Sequence, residues 1–283
     1  MESGGLLFAG LGFVLREVTL FAAAGFVFLG ASDLLVDLIW ITRMLGSRLG
    51  SRAQSKCVES LEPPRATGRL ALFIPAWDEA DVIGPMLRNS LATFRHGDYR
   101  LYVGCYPNDP ATIEAIKEVE DDRVRLVVGP TPGPTTKADC LNRLWEAMLA
   151  DEASEGRKVK AVVLHDAEDV VHAAELCVFD RLIERFDLVQ LPVLPLFDPN
   201  SRWELVVRQA LGVGLPSAGV GCAFSRAILD EIASRSGGVP FDAASLTEDY
   251  ELGLKIRSAG GRAAFVRLPE AKGHPLVMTR EFF

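Results

Sequence analysis

The chain is poor in the residues that carry redox, zinc or disulfide chemistry. Its five cysteines (Cys57, Cys105, Cys140, Cys177 and Cys222) fall without paired spacing among 283 residues. That is neither a disulfide framework nor a zinc site, and it fits a reducing compartment. The four histidines, His96, His165, His172 and His274, show no ligand spacing either. Positive charge is short as well: the net charge is −8 and no basic stripe appears after residue 70, which excludes nucleic acid as the main partner. There are no internal repeats and no low-complexity tract. No basic region precedes the first apolar run, and Arg43 stands where a cleavage site would, against a secretory signal peptide. What is there, 49% apolar and 24% charged residues, makes a globular chain long enough for one large domain and an accessory segment.

The first apolar run, Val18 to Ile41, has the length that a membrane-spanning helix needs. Arg43, Arg48, Arg52 and Lys56 follow it, while only Glu2, Arg16 and Glu17 precede it. This asymmetry predicts that the globular part faces the cytosol, and an inner (cytoplasmic) membrane location is expected with it. Gly4 to Leu15 is apolar too but short for a span of its own. Asp33 and Asp37 lie one helical turn apart on one face. They fit either a tilted, interfacial helix or packing against helices outside this chain. The expected organisation is a membrane segment over 1–45, a polar linker over 46–68 containing Pro63-Pro64, and a catalytic domain over 69–283.

Past the linker, strand-like and helix-like stretches alternate. Leu70–Ile74, Leu101–Cys105, Val124–Val128, Val159–Leu164 and Leu188–Val193 read as strands. Between them, apolar residues recur at helical spacing through Val82–Leu91, Ile113–Val119, Lys137–Leu149 and Leu176–Ile183. Gly84-Pro85 reads as the true first turn of the first of these helices. Such alternation predicts a mainly parallel sheet covered by helices.

The chemistry concentrates at His165-Asp166-Ala167-Glu168-Asp169, where the fourth strand stops. Ligands of open α/β sheets bind at that edge. Two carboxylates one residue apart grip a hard divalent cation, which in turn holds a diphosphate. The alternative is an acidic surface loop.

With Pro75-Ala-Trp-Asp-Glu79, Lys137-Ala-Asp-Cys-Leu-Asn142, Asp166-Ala-Glu168 and Thr247-Glu-Asp249 following one another along the chain, the stretch from about Arg69 to Pro269 resembles family 2 glycosyltransferases of GT-A fold, and within them the bacteriophage-adsorption protein B subgroup. The resemblance implies a nucleotide-diphospho-sugar transferase, Rossmann-like, with the mainly parallel α/β sheet preceded by a transmembrane helix. Phe73-Ile-Pro-Ala-Trp-Asp-Glu79 stands where the family has an apolar strand and Pro-Ala-Tyr-Asn-Glu. There Trp77 and Glu79 are expected to meet the nucleotide base; Asp78, in place of Asn, equally suits a helix N-cap. Asp109, in Tyr106-Pro-Asn-Asp109, matches the loop that contacts base and ribose, or is a plain proline-flanked turn. Lys137-Ala-Asp-Cys-Leu-Asn142 is similar to Lys-Ala-x-x-Leu-Asn, and a lysine at a helix start meets a diphosphate well. On its own Lys137 also reads as a solvated surface residue. Asp166 and Glu168 fill the family's metal site, with Asp169 as a spare ligand, and imply Mg2+ or Mn2+. Thr247-Glu248-Asp249 matches the Thr/Ser-Glu-Asp motif, whose last residue is the catalytic base; it also has the composition of a capped helix start. Gly219-Val-Gly-Cys-Ala-Phe-Ser-Arg226 resembles the glycine-containing segment on the acceptor side, or is a tight turn before a strand.

The family's Gln-x-x-Arg-Trp helix is missing, so the chain is expected to be a fragment of a longer protein. The function implied is a membrane-anchored, metal-dependent, inverting hexosyltransferase. It would move a sugar from a UDP donor to a polysaccharide or lipid-linked acceptor, with a polysaccharide export partner. Two other classes stand beside it: a nucleotidyltransferase, whose usual Gly-rich, Arg/Lys-containing loop is absent after the first strand, and a non-catalytic binding or assembly module of the same fold.

Overall fold

The computed structural model describes residues 2–50, 57–61, 63–194, 214–245, 247–266 and 278–280, with residues 208 and 211. The chain divides into two compact units, Met1–Arg52 and Ala53–Phe283. The first is one helix, α1 (Glu2–Gly50). Within it Leu11–Thr42 is long and apolar enough to cross a membrane by length and composition. The helix runs without a break through Gly4–Leu15 and continues beyond residue 45, into the segment expected as linker.

The second unit is built on a seven-stranded sheet. Its strands are β1 (Leu70–Pro75), β2 (Tyr99–Cys105), β3 (Val124–Val128), β4 (Ala161–Leu164), β6 (Leu188–Gln190), β8 (Cys222–Ser225) and β9 (Ala263–Phe265). They lie in the order β3-β2-β1-β4-β8-β6-β9. All pairs are parallel except those of β8, which runs against both β4 and β6. The helices are α2 (Ala80–Thr93), α3 (Pro110–Lys117), α4 (Lys137–Glu155), α5 (Glu175–Leu182), α6 (Arg226–Arg235) and α7 (Glu248–Ser258).

Successive strand side chains point to opposite faces, and here both faces are buried. Leu70, Leu72 and Ile74 pack with Ile83 and Leu87 of α2, Ile116 of α3 and Phe179 of α5. Ala71 and Phe73 pack on the other side with Leu141, Leu144 and Trp145 of α4, Leu229 of α6 and Leu252 of α7. Burial on both faces is why these strands are continuous apolar runs rather than alternating ones.

Three expected boundaries shift. Helix α2 begins at Ala80, so Pro85 lies inside it and not in its first turn. The ring removes the N–H that would reach the Asp81 carbonyl, but the buried Ile83, Met86 and Leu87 hold the helix against the sheet. The expected strand Leu188–Val193 breaks at Leu191-Pro192. Its second part, β7 (Val193–Leu194), joins β5 (Asp169–Val170) and β10 (Met278–Arg280) in a small sheet of order β5-β10-β7. Proline cannot donate to the ladder, so the chain leaves the main sheet there. Helix α4 runs on past Leu149 to Glu155 and stops at Gly156, whose φ of 65° provides the left-handed C-cap.

Candidate active site

Strands β1, β2, β4 and β6 all end at one edge. Because β8 is reversed, the loop before it arrives at the same edge: Cys222 pairs with Leu164 on one side and Gln190 on the other.

The loop after β1 carries Trp77, Asp78 and Glu79. Asp78 has a φ of 58°, a left-handed conformation in which Asn and Asp are the enriched non-glycine types. That explains how Asp stands where the resembled motif has Asn. Asp78 is not the helix cap: the N-cap position is Glu79, which makes no side-chain cap bond. The loop is held instead from α3. The Asp78 N–H donates to Asp109 Oδ2 (2.7 Å) and the Glu79 N–H to Thr112 Oγ1 (3.0 Å). Asp109 also caps α3 by accepting from the Thr112 N–H (3.3 Å) and is buried.

Trp77 meets Tyr106 edge to face, 5.2 Å between centroids. The backbone of Gly133 lies directly on both rings; a side chain there would meet Tyr106 at 2.5 Å and Trp77 at 2.9 Å. Asn108 clamps this loop with two bonds, donating to the Gly133 carbonyl (2.9 Å) and accepting from its N–H (2.7 Å). The Tyr106 hydroxyl bonds Thr135 Oγ1 at 2.9 Å. Asn108 was not singled out in the sequence, where only Asp109 of its motif carried a recognisable match.

Lys137 is the first residue of α4, and its Nζ donates to Asp166 Oδ1 at 2.6 Å and to the Gly219 carbonyl at 3.5 Å. Thr136 caps that helix from the Asp139 N–H (3.2 Å). Burial pushes the Glu79 carboxyl above the usual carboxylate range, with the charges of Glu168, Asp78 and Asp109 adding to it. Beside Glu168 a cleft of ≈ 350 Å3 opens between Val82, Pro85, Met86 and Asn89 of α2 and Val170 of β5.

Asp169, expected as a spare metal ligand, is instead buried behind the loop (1% exposed), with Oδ2 accepting the Asp166 N–H at 2.7 Å. His165, also buried, lies 2.9 Å from Glu175 Oε1 and 3.6 Å from Asp169 Oδ2. Burial opposes a charge on this ring, but the two carboxylates outweigh it and push its pKa up to about 9. The acidic loop thus rests on a buried ionic cluster that no spacing in the sequence revealed.

Helix α7 brings the last motif. Thr247 occupies the N-cap position but its side chain does not cap; the Thr247 N–H donates to Ser245 Oγ (3.1 Å). Glu248 is buried, which raises its pKa, with Asp249 adding to the effect. Asp249 Oδ1 accepts the Tyr250 N–H (2.7 Å), and the rest of its carboxylate lies against the Cα of Gly219. Gln190 of β6, absent from the sequence-based candidates, organises the loop between. Its Oε1 accepts the Ala218 N–H (2.9 Å), and its Nε2 donates to the carbonyls of Leu191 (2.8 Å), Val220 (3.0 Å) and Gly221 (3.2 Å). A glutamine in an otherwise apolar buried strand is the signal that marks it.

A family model described as "Glycosyltransferase like family 2" matches residues 65–193, and one described as "Glycosyl transferase family group 2" matches 161–281. The chain belongs to glycosyltransferase family 2. Bacteriophage adsorption protein B of Escherichia coli K12 is 36% identical over 259 residues, covering 85% of this chain and 35% of that protein. Bacteriophage N4 adsorption protein B of E. coli O157:H7 matches to the same extent. The chain thus spans about a third of the length of these curated relatives. Among solved structures, the mannosyltransferase PcManGT from Pyrobaculum calidifontis, in complex with GDP-Man and Mn2+, superposes with a TM-score of 0.61 at 18% identity, over 90% of this chain and 67% of that one. Glucosyl-3-phosphoglycerate synthase from Mycobacterium tuberculosis, with Mn2+, UDP and glucosyl-3-phosphoglycerate, gives 0.51 at 15% identity, over 76% and 73%. At such identities the likeness is one of fold. It makes the sheet of this family 2 glycosyltransferase a GT-A sheet, its reversed β8 included.

Among the sequence-predicted residues of the glycosyltransferase, the fold gathers Lys137, Asp166 and Asp249 around Gly219, while the charge of Glu168 is felt at Glu79. Trp77 stands with Tyr106 at the far end, while Asp109, Asp169 and Glu248 are buried supports. No group of three potential metal-ligating side chains occurs among the described residues.

Proposed function

We propose that this domain binds a nucleotide-sugar donor and transfers the sugar with inversion to an acceptor hydroxyl. The observation that carries the reading is the convergence at Gly219, where Lys137 reaches Asp166 at 2.6 Å and the Gly219 carbonyl at 3.5 Å while Asp249 rests on the same glycine. A group for the diphosphate, a carboxylate for a cation and a base for the acceptor thus meet at one backbone position.

The nucleoside lies against Trp77, which Tyr106 and the loop that Asn108 clamps hold from behind. The base stacks on the Trp77 side and Glu79 accepts a hydrogen bond from base or ribose. Asp109 serves this end through its bond to the Asp78 N–H. The diphosphate meets Lys137 and the N-terminus of α4, where the helix dipole and the ammonium act together. Asp249 takes the proton from the acceptor hydroxyl, an action typically worth ~10²–10⁴-fold.

The residues fit a divalent cation. Asp166 and Glu168 supply two carboxylates, and Asp166 already holds a cationic group, the Lys137 ammonium, at 2.6 Å. Mg2+ and Mn2+ are commonly held by one or two carboxylates with substrate phosphates completing the shell, so two protein ligands suffice. When bound, the cation stabilises the charge of the departing nucleotide diphosphate.

UDP is the donor nucleotide that the resemblance favours, and a polysaccharide or lipid-linked glycan the acceptor. Helix α1 anchors the domain in the inner membrane with the site facing the cytosol, next to an export partner for the product. Calorimetric titration with UDP and GDP, with and without Mn2+, tests the donor reading. Metal-dependent binding that Asp166→Ala abolishes is the expected result, and metal-independent binding by both forms overturns it. Asp249→Asn should keep nucleotide affinity while losing transfer by ~10²–10⁴-fold; normal transfer by that variant would refute the base assignment.

A further inference from the structure

Asp249 is not placed by its helix alone. One helical turn on, Gly253 lies on the same face of α7 and packs backbone to backbone on residues 215–217; a Cβ there would stand 2.8 Å from the Pro216 carbonyl carbon and closer still to Leu215 O and Ser217 N. The face of α7 that carries Asp249 is therefore pressed on the 215–221 segment. At the Asp249 end the contact is side chain on Cα. Gly219 has a φ of 74°, and a Cβ there would lie 2.9 Å from Asp249 Cγ and 3.3 Å from Asp249 Cβ, with Oδ2 nearer than either. The segment itself is fixed: Gln190 bonds the backbone of Ala218, Val220 and Gly221, and the Gly219 N–H donates to Ser217 Oγ at 3.1 Å.

We propose that Gly219 is a positioning residue for proton transfer: its bare Cα, held by Gln190, is the seat that sets where the Asp249 carboxylate points. This rests on the reading of Asp249 as the base. A methyl group at 219 meets the far end of a flexible side chain, so the fold adapts by turning the carboxylate. The reaction does not adapt, because a general base must lie within hydrogen-bond reach of its proton. Displacements near 1 Å cost about 100-fold in rate.

The test uses four variants of the full chain: Gly219→Ala, Gly260→Ala, Asp249→Asn and the double variant Gly219→Ala/Asp249→Asn. Gly260 has a φ of 83°, and a methyl group there would meet nothing within 4 Å, so Gly260→Ala carries the same backbone penalty without the contact. The rate of nucleotide release is measured in Mn2+ on the most rapidly cleaved of UDP-glucose, UDP-N-acetylglucosamine and GDP-mannose, alongside calorimetric UDP affinity and crystal structures of wild type and Gly219→Ala. Gly219→Ala should lose about 100-fold in kcat while UDP affinity stays within about twofold, and the double variant should be no slower than Asp249→Asn within the same margin. In the crystal, the Asp249 carboxylate should have left residue 219 with the α7 backbone in place. A Gly219→Ala rate equal to that of Gly260→Ala, losses that multiply in the double variant, or an unmoved carboxylate would overturn the proposal. Full activity in Asp249→Asn would refute the base assignment itself, and with it this inference, separately from any effect at Gly219.

Discussion

Replacing Lys137 by Met should weaken nucleotide binding without weakening binding of Mn2+ alone. The Lys137 ammonium sits on Asp166 at 2.6 Å, with the two side chains 30% and 16% exposed. In the proposed reading the ammonium turns to the diphosphate when donor binds. A hydrogen bond to a charged group is worth about 1.5–3 kcal/mol, so losing it weakens UDP by roughly 10–150-fold in saturating Mn2+. Mn2+ alone should behave otherwise. The ammonium competes with the cation for Asp166, and a partly screened pair contributes no more than ~1 kcal/mol. Its removal should leave Mn2+ affinity unchanged or up to about fivefold tighter. Calorimetry reads the first quantity and the electron paramagnetic resonance of unbound Mn2+ reads the second, with Asp166→Ala as the reference that loses both. Weaker Mn2+ binding in Lys137→Met would mean that the lysine shapes the acidic loop rather than competing there. Unchanged UDP affinity would remove Lys137 from the diphosphate site.

Two further perturbations test the electrostatics. Glu79→Gln should raise Tm at pH 7.5: burial, then Glu168, hold the Glu79 pKa above its unfolded value, so the folded state keeps a proton that the unfolded chain releases, and stability falls as pH rises through that window. The gain should vanish below about pH 4, where Glu79 is protonated in both states, and a lower Tm at pH 7.5 would refute this account. Arg226→Met strips the buried Glu152 of the guanidinium that binds it at 2.9 and 3.1 Å and stacks 4.4 Å over Trp145. Stranding a buried charge costs about 3–5 kcal/mol. Adding Glu152→Gln should recover most of it in denaturant titration, because a carboxamide still accepts the Val159 N–H, which donates to Glu152 at 2.8 Å; no recovery would mean that packing on Trp145 dominates.

The strands and helices were legible because both sheet faces are buried, which turns β1, β2 and β4 into plain apolar runs flanked by helical periodicity. The acids at the end of β4 were legible for a related reason: carboxylates directly after a fully buried strand have nowhere to lie but the sheet edge. Strand direction leaves no such trace. Nothing in Cys222–Ser225 distinguishes an antiparallel strand from a parallel one, so the place of Gly219 could not be read. Local propensity misled where tertiary bonds took over. Asp78 and Thr247 have the chemistry of caps, yet the first is drawn into a left-handed turn by Asp109 and the second leaves its helix uncapped. Asn108 was invisible, and Gln190 was marked only as a polar residue in an apolar run, because their partners are backbone atoms of Gly133 and of the 218–221 loop, whose proximity only the fold creates.

The reversal of β8 is what allows two halves of a reaction to share one edge. The donor groups of the proposed reading come from loops that leave β1, β2, β3 and β4, and in a wholly parallel sheet the loop entering the next strand would lie at the opposite edge, a strand length away. Running β8 backwards places the segment before it beside Leu164, where the Gly221 N–H donates to the Leu164 carbonyl at 3.1 Å. That segment then touches Lys137 with a carbonyl and Asp249 with a Cα. In the proposed reading donor and acceptor chemistry are therefore coupled through the backbone of Gly219, whose neighbours Ala218, Val220 and Gly221 are held by a buried carboxamide on β6. Geometry of this kind tolerates exchange of surrounding apolar side chains, since the sheet register sets it. Added atoms at residue 219 are another matter, because the space a Cβ would take there is already filled by the Asp249 carboxylate.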